Sequence, residues 1–281
     1  MRKYFIKQIT STGFILVLAF LSFSCKKSQS TFTPPPVTTT PPPVTGADTG
    51  AYANYTLVWS DEFNGTSVDA NNWNFETGPG VNNEKEYYQA ANATVANGNL
   101  VITAKKESVG GQPYTSARLN TEGKVTAQYG RIEARIKLPL GTGLWPAFWM
   151  LGANITTVSW PQCGEMDIME HVNADNTIYG TMHWNVNGHV QYGLNTQVTS
   201  PDAYHIYAIE WDSSSINWYV DNNLYCTANI QSNVNNTGAF QLPFFIILNL
   251  AVAGDFPGQT VDESKLPASM YVDYVRVYKA K

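Results

Sequence analysis

From Tyr52 onward, apolar and polar residues alternate in short runs broken by Gly, Asn, Asp and Pro. An alternation of period two is the pattern of a strand with one buried face. It predicts strands over Asn99–Ala104, Tyr129–Leu138, Ala147–Leu151, Glu165–Glu170, Thr177–Trp184, His205–Trp211, Ile216–Val220, Phe244–Ala251 and Tyr271–Tyr278. No stretch shows the spacing of an amphipathic helix, and no internal repeat is visible. Many short strands separated by turn signals predict an all-β sandwich or barrel.

Parity along these runs predicts which side chains share a face. In Tyr129–Leu138, Gly130, Ile132, Ala134, Ile136 and Leu138 fall on one side, with Arg131, Glu133, Arg135 and Lys137 on the other. Met182 and Trp184 share a face, which places Thr181, His183 and Asn185 opposite them. Trp145, Ala147 and Trp149 share a third face, away from Phe148 and Met150. Trp145 and Trp149 are therefore candidates to stack on a flat ligand. Trp160, in the loop before Glu165, is a candidate wall. Core packing is the expectation for Trp59, Trp73, Trp184, Trp211 and Trp218.

The first fifty residues follow a different pattern. Arg2, Lys3 and Lys7 precede an apolar stretch from Gly13 to Phe23, too short to span a membrane comfortably and typical of a secretory leader. Leu21-Ser22-Phe23-Ser24-Cys25 resembles a bacterial lipoprotein cleavage box, with Ser22 where an aliphatic residue is usual. The expectation is a signal peptide over residues 1–24, with Cys25 lipidated as the first mature residue and holding the protein at a membrane, periplasmic or at the cell surface. Residues 25–51 are rich in Pro and Thr and are expected to form an extended linker. Residues 52–281 are expected to form one catalytic domain.

Composition narrows the function. Of 281 residues, 43% are apolar and 14% charged, so the chain has material for a core. Its 17 basic and 22 acidic residues give a net charge of −5, and the basic patch of a nucleic-acid binder is missing. Eight Trp, 16 Tyr and 12 Phe are many for this length, and flat rings suit sugar faces. Cys163 and Cys226 remain after the leader, and their sequence positions leave a bridge and two free thiols equally open.

The decisive segment is Gly164-Glu165-Met166-Asp167-Ile168-Met169-Glu170-His171. Three acids lie within six residues of an otherwise apolar run. On a regular strand Glu165 and Asp167 point together and Glu170 points away. A β-bulge at Ile168–Met169 would return Glu170 to their face. Like charges so close are unfavourable unless their pKa values separate. Two neighbouring carboxyls are the equipment of a retaining glycosidase. A calcium loop is the competing use, but the spacing lacks the EF-hand pattern and Met and Ile between the acids suit a buried strand.

Here the sequence resembles glycoside hydrolase family 16, in its laminarinase-like branch. The acid segment is similar to the family's E-x-D-x-x-E signature. Trp59-Ser60-Asp61-Glu62-Phe63-Asn64-Gly65, Asn82-Asn83-Glu84 with Tyr87-Tyr88, Tyr129 to Arg135, Trp145 to Leu151, and Tyr271 to Tyr278 resemble further blocks in order. The resemblance implies a β-jelly-roll sandwich of two curved antiparallel sheets, with substrate across the concave one. It implies Glu165 as nucleophile, Glu170 as acid/base and Asp167 as the assisting carboxyl. It implies sugar contacts at Asn83, Glu133, Arg135 and His183. It also implies a structural calcium ion held by the backbone oxygens of Glu62 and Gly98 and by the carboxylate of Asp273; catalysis would need no cofactor.

The function expected is a retaining, endo-acting hydrolase of β-1,3 or mixed β-1,3/1,4 glucan, such as laminarin, acting as a monomer. A galactan hydrolase of the same family would want more basic groups near the acids. A non-catalytic glucan-binding protein could dispense with the acids. Capture of the intermediate by a second sugar would make the protein a transglycosylase.

Overall fold

The computed structural model describes residues 52–281. The expected leader, the expected lipidation site at Cys25 and the Pro/Thr-rich linker lie outside the described residues.

Two eight-stranded antiparallel sheets face each other. One orders its strands Asn223–Asn229, Ser215–Val220, Tyr204–Trp211, Gly130–Lys137, Ala268–Ala280, Asn99–Ala104 and Ala93–Ala96, with Tyr55–Asp61 also paired to Ala268–Ala280. We call it the structural sheet. The other orders His189–Gln197, Thr177–Asn185, Glu165–Glu170, Leu144–Gly152, Phe244–Val252, Arg118–Asn120 and Asn74–Phe75, with Thr126–Ala127 also paired to Phe244–Val252. It carries the acid strand, and we call it the acid sheet. A small third sheet joins Gly78–Pro79, Glu86–Tyr88 and Tyr114–Ser116.

The core lies between the two large sheets because each presents an apolar face. Ile132, Ala134, Ile136, Ile209, Val275 and Val277 come from the structural sheet; Phe148, Met150, Met166, Met182, Leu248 and Leu250 come from the acid sheet. Full burial of one such large side chain is worth about 1.5–3 kcal/mol. Trp73, Trp184, Trp211 and Trp218 are buried in the core, and Trp59 packs against it half-buried. Cys163 and Cys226 are free and buried.

Of the strands that alternation did not predict, Tyr55–Asp61, His189–Gln197 and Asn223–Asn229 are the longest. The last two are edge strands with mostly exposed side chains, so little apolar burial marks their period. The run at Tyr129 starts its strand one residue later, at Gly130, because Tyr129 adopts a positive φ of 62°.

The sheet assignment corrects two expectations. Ile132, Ala134 and Ile136 point into the core, so Glu133 and Arg135 stand on the opposite face of the structural sheet. The core separates that face from the acids. Glu133 is buried, accepting hydrogen bonds from Tyr52 Oη and Arg131 Nε, both at 2.7 Å. Arg135 donates to Asp273 at 2.7 Å and lies over the Tyr204 ring. Neither shares the face of the acids. Parity tells which face of a strand a side chain takes, but not which sheet the strand joins.

Candidate active site

The acid strand is held between two neighbours whose registers count out its bulge. Against Leu144–Gly152, Phe148 faces Met169 and Trp149 faces Asp167, leaving Ile168 without a partner. Against Thr177–Asn185, Asp167 faces Thr181 and Glu170 faces Tyr179, so Ile168 and Met169 together oppose Gly180. Both bulged side chains are buried in the core. The core therefore drives the extra residue inward, and the step of two against one returns Glu170 to the face of Glu165 and Asp167. Trp218 supports the bulge from behind, donating its indole N–H to the carbonyl of Asp167 at 2.8 Å. A Cβ on Gly180 would strike the Trp218 ring and Tyr225, so the residue facing the bulge has no room for a side chain.

Each acid has a partner from a different segment. Trp160, from the preceding loop, donates its indole N–H to Glu165 Oε2 at 2.9 Å. Trp145, from the neighbouring strand, donates to Glu170 Oε1 at 2.9 Å. His183 faces Glu165 across the register, with Nε2 2.9 Å from Asp167 Oδ2 and 3.8 Å from Glu165 Oε1. Each keeps the strand face that parity predicts, and strand pairing brings His183, Trp145 and Trp149 onto the face of the acids. Trp149 differs from the stacking role expected of it: its indole N–H goes to Asn249 Oδ1 at 2.8 Å, and the Arg118 guanidinium covers its ring at 4.7 Å.

Burial raises the pKa of all three acids, since a carboxylate loses water there that the protein only partly replaces. The charge of Asp167 pushes Glu165 and Glu170 up further. The His183 ring and the two indole N–H groups pull the other way. A cluster so arranged holds at least one proton near neutrality, and it can keep a carboxylate and a carboxylic acid side by side. Glu165, Asp167 and His183 are also close enough to ligate one metal ion, their ligand atoms lying within 4.8 Å of one another.

Several site residues escape sequence reasoning. His189 stacks on His183, with Nε2 2.9 Å from His183 Nδ1, and on the Trp160 ring at 4.6 Å. It thus ties together the partners of Glu165 and Asp167. Phe256 meets the edges of both Trp145 and Tyr179. Tyr179 shares the parity of His183 and was legible from that spacing; Phe256 lies in a loop and had no signal. Asn83 takes a positive φ of 58° and donates to Asp255 at 2.7 Å. Its neighbour Asn82 accepts the Asp255 N–H, which sets this loop beside Gly254 and Trp145.

Behind this loop lie two acids with no catalytic signature. Glu86 is fully buried and accepts the Val252 N–H at 2.6 Å. Burial, then the charge of adjacent Glu84, pushes it up to about 9. Glu84 accepts from Tyr88, whose oxygen accepts from Asn249, the partner of Trp149.

Strand register sets the segments that carry the expected calcium ligands side by side. Asp61 faces Val275 and Leu100 faces Val272, so Glu62 and Gly98 both approach Asp273. Gly98 also lies next to Asn64. One Asp273 oxygen is held by Arg135. Two backbone carbonyls and one carboxylate oxygen suit a hard cation such as calcium. The Glu62 carboxylate is engaged by Arg276 in a two-point pair and is not part of the set.

Comparison with known proteins agrees with this geometry. The model of Glycosyl hydrolases family 16 matches residues 81–276. The chain is 41% identical over 245 residues to the β-glucanase of Rhodothermus marinus, covering 80% of this chain and 86% of that protein. It is 46% identical over 231 residues to the clotting factor G alpha subunit of Tachypleus tridentatus; the match covers 79% of this chain and 34% of that one, so it spans about a third of that relative. The solved catalytic domain of an endo-1,3-β-glucanase (laminarinase) from Thermotoga petrophila RKU-1 aligns with a TM-score of 0.73 at 46% identity, covering 81% of this chain and 98% of that one.

Proposed function

The chain belongs to glycosyl hydrolases family 16, and from that premise we propose that it is a retaining, endo-acting β-glucan hydrolase, cutting internal β-1,3 bonds of laminarin-type or mixed-linkage glucan. The observation that carries the reading is the bulge that gathers Glu165, Asp167 and Glu170 on one face.

Glu165 attacks the anomeric carbon while Glu170 gives its proton to the departing oxygen. Water then displaces Glu165 from the glycosyl–enzyme ester, and Glu170 takes the proton that water loses. Asp167, with His183 Nε2 2.9 Å from its Oδ2, stabilises the changing charge on Glu165. Trp160 and Trp145 orient the two glutamates through single N–H bonds. No step requires a metal or redox cofactor. A structural calcium held by Glu62, Gly98 and Asp273 would pin the closing strand to two turns, so chelation is expected to lower Tm and leave the rate of the folded enzyme unchanged.

The galactan reading is disfavoured because Arg131 and Arg135 lie on the far face of the structural sheet. Anionic substrate would meet three carboxyls, and the guanidinium on their face, Arg118, lies over Trp149 and is paired with Glu76.

The deciding experiment incubates laminarin, mixed-linkage barley glucan and agarose in parallel, with the Glu165→Ala protein as control. Short oligosaccharides from either glucan, absent with the control, support the reading. Agarose products, or none at all, overturn the substrate. We propose further that residues 1–24 are a signal peptide, that Cys25 carries a lipid anchor, and that residues 25–51 hold a monomeric domain off the membrane. The basic start, the apolar run and the position of Cys25 support this. Loss of membrane association in Cys25→Ala tests it.

A further inference from the structure

The face that bears the acids continues past the rung formed by Glu165 and His183. Asn185 follows His183 by two residues on the same side of its strand, about 7 Å further on. Gln162 precedes Glu165 by three residues. Beside them lies a cavity of about 270 Å³ lined by Gln162, Asn185, Asn233, Asn236, Gly238 and Ala239.

Its chemistry is uniform: four amide side chains and no ionisable group. Asn185 Oδ1 accepts the Gly188 N–H, and Asn236 Nδ2 donates to the Asn185 carbonyl. The side-chain amides of Gln162 and Asn233 have no hydrogen-bond partner among the described residues. Asn185 Nδ2 and Asn236 Oδ1 are likewise left over for a ligand. An amide offers donor and acceptor a short distance apart, which matches the paired hydroxyls of a pyranose. Gln162, Asn233 and Asn236 are exposed, and with no cation in the lining nothing there would pair with a phosphate, sulfate or uronate. The volume equals that of roughly nine waters at ~30 Å³ each, room for one hexose ring with its hydroxyls.

The lining is also set before any ligand arrives. Ser232, Asn233, Asn235 and Asn236 all take left-handed φ values, from 51° to 61°. Asn accepts this conformation more readily than most residues. Trp184 donates from the core to the Asn235 carbonyl at 2.8 Å, and Asn236 fastens the loop to the strand of His183. Such preorganisation lowers the cost of binding.

We propose that this amide-lined cavity is a sugar subsite, taking one neutral hexosyl unit of a glucan that lies across the acids. The proposal rests on the glucanase reading above. The unit is either the next residue of the main chain or a single-residue branch; both offer the same hydroxyls.

The test is a Gln162→Ala, Asn233→Gly double variant, whose glycine keeps the left-handed backbone. Neither residue touches the acids, so Tm and cleavage of the shortest accepted oligosaccharide should match the parent. On long substrates kcat/KM is expected to fall about 5- to 50-fold, as two lost neutral hydrogen bonds would give. A fall on linear β-1,3 oligosaccharides identifies a main-chain unit. A fall confined to a branched glucan identifies a branch. Equal kcat/KM for parent and variant on every substrate overturns the subsite while leaving the glucanase reading intact. A parent inactive on every glucan overturns the substrate reading and, with it, the glucan occupant.

Discussion

Trp160 reaches back from its loop to donate an indole N–H to Glu165 at 2.9 Å, while its ring lies against His189. One side chain thus orients a glutamate and walls the site, and it does so only because the loop folds over the acid strand. With Glu165 as nucleophile, Glu165→Ala should lower hydrolysis on the order of 10⁴-fold or more and leave the fold intact. Added azide should then yield a glycosyl azide of inverted configuration, identified by NMR. Full activity in this variant would sink the assignment.

The pH profile should show the protonated state of Glu170. Burial first, then the charge of Asp167, pushes this acid up to about 8. The same burial pushes Glu165 up to about 8, so kcat/KM should peak near pH 8 and fall above it as Glu170 loses its proton. In Glu170→Gln, assayed on an aryl glycoside with a good leaving group, that alkaline limb should vanish. Its persistence would move the role of acid to another group.

Glu86 makes a separate prediction about stability. Its pKa in the fold is raised to about 9, above the value of a free carboxyl. Between the two values the folded protein holds a proton that the unfolded chain has released, so stability falls as pH rises through that window. Glu86→Gln keeps an acceptor for the Val252 N–H and cannot ionise. At pH 8 it should raise Tm by at least about 2–4 °C, the equivalent of 1 kcal/mol in a domain of this size. Thermal unfolding from pH 5 to 9 checks this; parallel curves for parent and variant would refute it.

Glu133→Ala separates a structural role from a sugar contact. It removes the partner of Arg131, leaving a buried guanidinium that only half-buried Glu210 still pairs. Glu210 and Asn222 still hold the guanidinium, so the expected loss is about 1–3 kcal/mol of stability. In protein still folded at low temperature, KM for glucan should equal that of the parent. A raised KM with unchanged stability would return Glu133 to the substrate site.

Gly180→Ala should act on the bulge itself. The added methyl meets Trp218 and Tyr225, and overpacking of this kind costs about 1–3 kcal/mol. Because Gly180 faces the bulge that aims Glu170, kcat should drop along with Tm. A drop in Tm alone would show that the bulge tolerates the strain.

The sequence by itself determined the strands of alternating pattern, the bulge at Ile168–Met169 and the common face of Glu165, Asp167 and Glu170. Each of these follows from local rules: side chains alternate along a strand, and apolar Ile168 and Met169 between acids must turn into a core. Only the tertiary structure decided that Glu133 and Arg135 belong to the other sheet, that His189 and Phe256 join the site, and that four amides line a cavity beside it. Which sheet a strand enters, and where a loop comes to rest, depend on contacts between residues far apart in the chain. Local alternation carries no record of those contacts.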